Sequence, residues 1–373
     1  MTRLIEFVIA LLIVALLFVL AGLVLPDHRN VRHSVETNRP ARLVYDLLSG
    51  FQRFGEWHPK RMHDPAIQYS IEGEPRGVGA VLRYESSEPR VGSGSWTIID
   101  TAQDERIEFA IESPAYGFNK TSVFTIEDRG RTVDINWEYD VSYGWNLLGR
   151  YAGMYIARTV GDDMKTGLSN LTGLLATVPN FNYDQLEVVL TEVPATTVLV
   201  ISTSADRNIS AVEEELDSSI RRLREVIRSN GLEETGPPRL ITTVFGDKKY
   251  DFDVAIPVRL PVADEAPAAP PAPAEGEEEA VVDLRAKIVA ASAPLEGLNL
   301  PEGVASGLTY GGRVITANFD GHPASLPLVR DMLRAYAATH GLQVHDRAWE
   351  EYLSDITTTS VDETTFDVYW PIR

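Results

Sequence analysis

Nineteen consecutive residues, 7–25, carry no charge and no strongly polar group. A helix of that length rises about 28 Å at ~1.5 Å per residue, close to the ~30 Å hydrocarbon core of a bilayer. A cleaved secretory signal has a shorter apolar core followed by a small-x-small site. Only Leu20-Ala21-Gly22 approaches one, and three more apolar residues follow it before Pro26. The expectation is an uncleaved anchor, with residues 1–28 forming tail and membrane span. Beyond it the pattern becomes short alternations. Residues 31–37 alternate like a half-buried strand, and residues 40–48 switch to helical spacing with Pro40 at the start. Residues 80–86, 95–101, 107–111, 123–127 and 133–141 read as strands joined by turns. In the last, Val133, Ile135, Trp137, Tyr139 and Val141 face one way and Asp134, Asn136, Glu138 and Asp140 the other, so one face is buried and one wet. Residues 148–177 return to helical spacing through Met164, Leu168, Leu171 and Leu175. Gly153, Gly161, Gly167 and Gly173 each weaken a helix interior by about 1 kcal/mol relative to Ala, so something must pack on that helix.

After a linker at 179–183 the pattern repeats itself. Phe252-Asp-Val-Ala-Ile-Pro-Val-Arg259 is matched by Phe366-Asp-Val-Tyr-Trp-Pro-Ile-Arg373. In the first copy residues 188–202 read as a strand interrupted at Pro194. Ser210 to Glu213 reads as a capping box opening a helix striped by Val212, Leu216, Ile220, Leu223 and Ile227 and stopped by Gly231, and strands follow at 239–245 and 250–258. In the second copy a strand at 313–319, a helix at 325–340 and strands at 347–353 and 365–372 repeat the order. Each half is expected to be strand-helix-strand-strand, the two packing about a pseudo-twofold with a groove at their junction. Between them, residues 261–280 are acidic and rich in Pro and Ala, a composition that cannot bury apolar surface and is expected to be disordered.

Composition narrows the function. The chain has 373 residues, 34 basic and 54 acidic, for a net charge of −20, which repels phosphate backbones and makes nucleic acid an unsuitable partner. With no cysteine there is no disulfide, thiolate nucleophile, thiolate metal site or lipoprotein anchor. Arg3 precedes the apolar run, and Arg29, Arg32, Arg39 and Arg42 follow it; because the latter also fit a folded domain, the side of the membrane stays open. His58 and His63 have no second pair at ligand spacing, so no metal is expected, and no cofactor motif is present.

An apolar anchor followed by VRHSVETNRPARLVYDLL, FGEWHPK and GEPRGVGAVLRY resembles the START-like superfamily (SRPBCC, polyketide cyclase/dehydrase type) over residues 29–178. The resemblance implies a helix-grip fold, a curved sheet around a helix with a cavity between them for an apolar or amphipathic small molecule. Tyr84, Trp96, Phe109, Trp137 and Tyr139 are candidates for its wall, and equally for plain core, since an apolar face looks the same against a ligand or a helix. The segments VLTEVPATTVLVIS, YDFDVAIPV, ITANFDGHPASLP and AWEEYLSDITTTSVDETTFDVYWPI resemble the GyrI-like effector-binding domain over residues 184–373. That family's groove takes small, often cationic or aromatic, molecules around an acidic residue, and a few relatives hydrolyse small molecules using Glu and Tyr. The matching positions are Glu350 and Tyr352, which strand alternation puts on one face, with Trp349, Glu351 and Leu353 on the other. No helix-turn-helix precedes the domain, so a transcription-factor role lacks its DNA reader. The fold class expected is α+β with two modules behind one membrane helix, and the function is small-molecule binding or sensing at a membrane. The alternative is a cyclase- or hydrolase-type enzyme using Glu350 as base and Tyr352 as its partner. No sequence feature names a protein partner.

Overall fold

The computed structural model describes residues 2–261, 293–353 and 364–373, so the insert expected at 261–280 lies, past its first residue, outside the described residues. The chain divides into two compact units: residues 1–182 with the strip 338–341, and residues 183–337 with 342–373.

Unit 1 opens with the apolar helix α1 (Thr2–Val24), followed by β1 (His28–Thr37), α2 (Ala41–Leu48) and two single turns, α3 (Phe54–Trp57) and α4 (Lys60–His63). Six strands follow: β2 (Gln68–Gly73), β3 (Ala80–Glu85), β4 (Gly94–Ala102), β5 (Arg106–Glu112), β6 (Phe118–Asp128) and β7 (Val133–Ser142). They form one antiparallel sheet in the order β1-β7-β6-β5-β4-β3-β2. Along β7 burial alternates at every residue, because a strand sends successive side chains to opposite faces.

The helix expected over 148–177 is two helices, α5 (Leu147–Gly153) and α6 (Ile156–Thr177). Between them Met154 and Tyr155 form a turn, their N–H groups donating to Tyr151 O and Ala152 O. The break follows Gly153, where a Cβ would lie 2.7 Å from the Tyr143 ring. The α6 helix packs on β1, and here two of its glycines have a steric reason. A Cβ at Gly167 would stand 2.8 Å from the Trp137 ring, and one at Gly161 would stand 3.1 Å from His33 Nε2. Close approach of helix to sheet offsets what these glycines cost in helix propensity.

Unit 2 contains β8 (Val188–Val193), β9 (Thr197–Asp206), α7 (Ile209–Ser229), β10 (Glu233–Glu234), β11 (Arg239–Phe245) and β12 (Lys249–Arg259). After the insert come β13 (Val304–Leu308), β14 (Gly312–Asp320), α8 (Leu326–Thr339), β15 (Trp349–Tyr352) and β16 (Thr365–Pro371). The main sheet runs β13-β9-β12-β11-β15-β16-β14-β8, with β10 beside β12. The strand expected over 188–202 is two strands broken at Pro194, and they part company: β8 pairs with β14, while β9 pairs with β12 and β13. Apart from the two-residue β10, each half therefore reads strand-strand-helix-strand-strand, the first strand of each crossing to the other half. The capping box also needs correction. The α7 N-cap is Asn208, whose Oδ1 accepts from Ala211 N at 2.9 Å, because Asn caps as well as Ser and stands two residues earlier. Leu216, Ile220 and Leu223 of α7 share one core with Val329 and Leu333 of α8.

Candidate functional site

In unit 2 a cavity of roughly 240 Å³ lies beside the first turns of α7 and α8. Val212, Leu216, Leu240 and Leu326 make much of its wall apolar, and Tyr250 and Tyr352 bring hydroxyl-bearing rings to it. Tyr352 is buried, and burial, then the charge of Glu350, pushes its phenol well above the ordinary value, so it stays a neutral hydrogen-bonding group. At the rim the Arg207 guanidinium lies 4.2 Å from the Phe245 ring centroid.

Glu350 and Tyr352 are neighbours on β15, but only Tyr352 lines this cavity. The Glu350 carboxylate is 0% exposed, and Oε1 accepts from Arg330 Nε at 2.5 Å. Arg330 comes from α8 and does line the cavity; its Nη2 donates to Tyr250 Oη at 3.0 Å, and that hydroxyl lies 2.9 Å from Thr242 Oγ1. Burial alone would lower the Arg330 guanidinium; the facing Glu350 charge, with Tyr250, outweighs it and holds the group above its ordinary value. The cavity thus meets an internally neutralised pair at this point. Where the sequence places an acid for a cationic guest, Glu350 Oε1 is taken by a guanidinium and Oε2 is buried without a hydrogen-bond partner.

The carboxylate that does line the cavity is Glu213, half-buried on α7. As a residue of a capping box it looked local. The N-cap at Asn208 places it beyond the capping turn, and only the tertiary fold turns it to the groove. On the other sheet face Trp349 stacks on Tyr369 at 5.0 Å and Glu351 pairs with Arg239 at 2.8 Å, so that side of β15 is also covered.

In unit 1 the five aromatic residues singled out from sequence are all buried. Trp96 contacts Phe54, His58 and Phe109, and Trp137 stacks on Phe124 at 4.8 Å. Tyr84 lies under Lys60, whose Nζ is 4.1 Å from its ring centroid. Trp57 Nε1, Trp96 Nε1, Tyr69 Oη and Tyr84 Oη are buried without a hydrogen-bond partner. Burial lowers the Lys60 ammonium to about 8 and pushes the Tyr69 and Tyr84 phenols up to about 12.

His58 is buried in the same cluster, stacked on Phe54 at 4.5 Å, with Nδ1 accepting from Lys60 N at 3.3 Å. Burial first, then the Lys60 charge, holds its imidazole well below the ordinary 6.5. Below that pH the unfolded chain takes up a proton that the folded chain refuses. The contribution is complete above about 6.5 and is lost as pH falls toward the folded-state value. The urea midpoint of unit 1 should therefore fall between pH 7.5 and pH 5, and His58→Phe should flatten that slope. An unchanged slope in the variant would assign it to other groups. His63 is instead exposed and pairs with Asp163 at 2.8 Å. Among the described residues no cluster of His, Asp and Glu could hold a metal ion.

Comparison with known proteins bears on the first unit most directly. Residues 28–176 match the family described as polyketide cyclase/dehydrase and lipid transport. The EcmrR C-terminal domain is similar at 13% identity over 50% of this chain and 98% of that one, with a TM-score of 0.36. The Zhui aromatase/cyclase from Streptomyces sp. R1128 is 17% identical over 39% and 92%, with a TM-score of 0.31. A hydrolase from Listeria innocua is 13% identical over 50% and 92%, with a TM-score of 0.32. No curated protein matches. The match at residues 28–176 supports small-molecule binding as the broad class of function, and α1 is long and apolar enough to cross a membrane.

Proposed function

We propose that this chain is a membrane-anchored small-molecule binding protein, with a GyrI-like second module whose groove takes a small, largely apolar ring molecule. The observation that carries the reading is the cavity of roughly 240 Å³ in unit 2, apolar in much of its wall, with Glu213, Tyr250, Tyr352, Asn208, Arg207 and the Glu350-paired Arg330 as its polar groups. Binding pockets for drug-sized ligands run from about 300 Å³ upward, so the guest is smaller, of one or two rings. Glu213 is the group that would favour a basic nitrogen on it, since Glu350 is already matched by Arg330. In unit 1 the two unpartnered indole N–H groups, of Trp57 and Trp96, would favour an acceptor on any guest, and the Tyr69 and Tyr84 hydroxyls could donate or accept. Catalysis by Glu350 is not supported, because Arg330 occupies its Oε1 and Glu350 is not among the residues lining the cavity.

Isothermal titration of the full chain in detergent, with a panel of one- and two-ring amines and their neutral analogues, tests the groove. Amines should bind, Val212→Trp should abolish binding by filling the cavity, and Glu213→Gln should weaken amines about tenfold, near 1.4 kcal/mol, while sparing neutral analogues. Binding that survives Val212→Trp unchanged, or no binding by any member, would overturn the groove assignment.

A further inference from the structure

Only three residues separate the end of α1 from β1, and the joint is locked rather than loose. Tyr143 N donates to Asp27 O at 2.7 Å, and Arg150 Nη1 donates to Leu23 O and Leu25 O at 3.1 and 3.0 Å. Those carbonyls are the ones a helix leaves without internal partners, and a cation at a helix C-terminus also suits the helix dipole. Further along, α5 lies against α1. A Cβ on Gly22 would touch Leu147 and Tyr151, the Tyr151 ring stacks on Phe18 at 4.3 Å and 13°, and Tyr151 Oη donates to Phe18 O at 2.7 Å.

Phe18 is seven residues before Leu25. At about 1.5 Å per residue, α5 therefore accompanies the last ~10 Å of the apolar run. The whole run measures about 28 Å against a hydrocarbon core of ~30 Å, so none of it can be withdrawn to keep α5 in water. We propose that α5 and the adjoining end of the unit 1 sheet are embedded in the headgroup and upper acyl layer of the bilayer. The proposal rests on the reading of α1 as a retained anchor and specifies how the domain sits on it.

The surface fits that partner. Around the joint Trp145 is 84% exposed, and Leu148, Met154, Tyr155, Tyr116 and Phe118 are exposed as well. Phe118 belongs to the same edge, its ring lying 3.2 Å from where a Cβ on Gly144 would be. Trp and Tyr with apolar neighbours are the side chains that favour the membrane–water boundary. Charge agrees: residues 113–126 and 141–161 contain no Asp or Glu in a chain with 54 of them, and Arg158 adds a positive charge to the second stretch. Asp27, just past the helix, is the acidic residue at the joint. In water this collar would leave a large apolar patch exposed without a partner.

The absence of cysteine permits a clean test. Single variants Leu12→Cys, Leu148→Cys, Met154→Cys and Arg131→Cys, all at exposed positions, are spin-labelled and the full chain is reconstituted into phosphatidylcholine vesicles. Collision rates with oxygen and with a water-soluble nickel chelate are then compared. Labels at 148 and 154 should favour oxygen several-fold more than the label at 131, which sits in the far hairpin, and should resemble the label at 12. If the label at 12 is lipid-exposed while those at 148 and 154 see nickel as 131 does, the collar is overturned and the anchor stands. If the label at 12 also sees nickel freely, the anchor falls and the collar with it.

Discussion

Glu350→Ala is expected to destabilise unit 2 by about 3–5 kcal/mol, because it leaves the Arg330 guanidinium buried without its counter-charge. The double variant Glu350→Leu/Arg330→Met is expected to return to within about 1 kcal/mol of the parent chain, since a buried pair replaced by apolar groups of similar volume is often neutral. Non-additivity of this kind is the signature of two residues acting as one. Urea titration of the full chain in detergent reads it out, with Trp349 and Trp370 reporting unit 2 and Trp57, Trp96 and Trp137 reporting unit 1. A Glu350→Ala midpoint unchanged from the parent would mean that Arg330 finds water in the cavity it lines, and the neutral pair would lose its structural role.

Trp137→Ala is expected to cost unit 1 about 3–5 kcal/mol, the usual loss for truncating a large buried aromatic. The ring is 3% exposed, stacks on Phe124, meets Trp57 edge-on at 5.7 Å, and its Nε1 donates to Ser122 Oγ. The outcome also decides between core and cavity wall for this residue. If Trp137 is core, truncation leaves a dry hole, and added indole should raise the variant's melting temperature but not the parent's. A loss below about 1 kcal/mol would show that the ring borders space already open, as a cavity wall does. Trp145→Ala is the control: Trp145 is 84% exposed on the folded unit, so its loss should change the unfolding free energy of unit 1 by less than about 0.5 kcal/mol.

The local elements were legible because their periods are unambiguous. The alternation from Val133 to Val141 is the burial pattern of β7, and the Phe-Asp-Val…Pro…Arg repeat marks β12 and β16. The strand at 239–245 coincides with β11. Boundaries between like elements were less legible. The apolar spacing of 148–177 runs through the break at Met154 and Tyr155; only Gly153, one of several glycines in the segment, stands next to it, and no proline marks it.

What the sequence determined by itself is therefore the presence of a bilayer-length apolar helix, a sheet module closed by a long helix, and a second region built on a repeated motif. Hydrophobic period and charge are local properties and need no partner to be read. Tertiary structure alone decided which charge meets which. Alternation put Glu350 beside Tyr352, but only the approach of α8 brings Arg330 onto that carboxylate and leaves Glu213 as the acid at the groove. It likewise decided that the apolar residues between Trp145 and Tyr155 turn outward beside α1 instead of inward to a core. Side chains far apart in the chain interact only once packing has fixed their distance, and a periodic pattern carries no record of that distance.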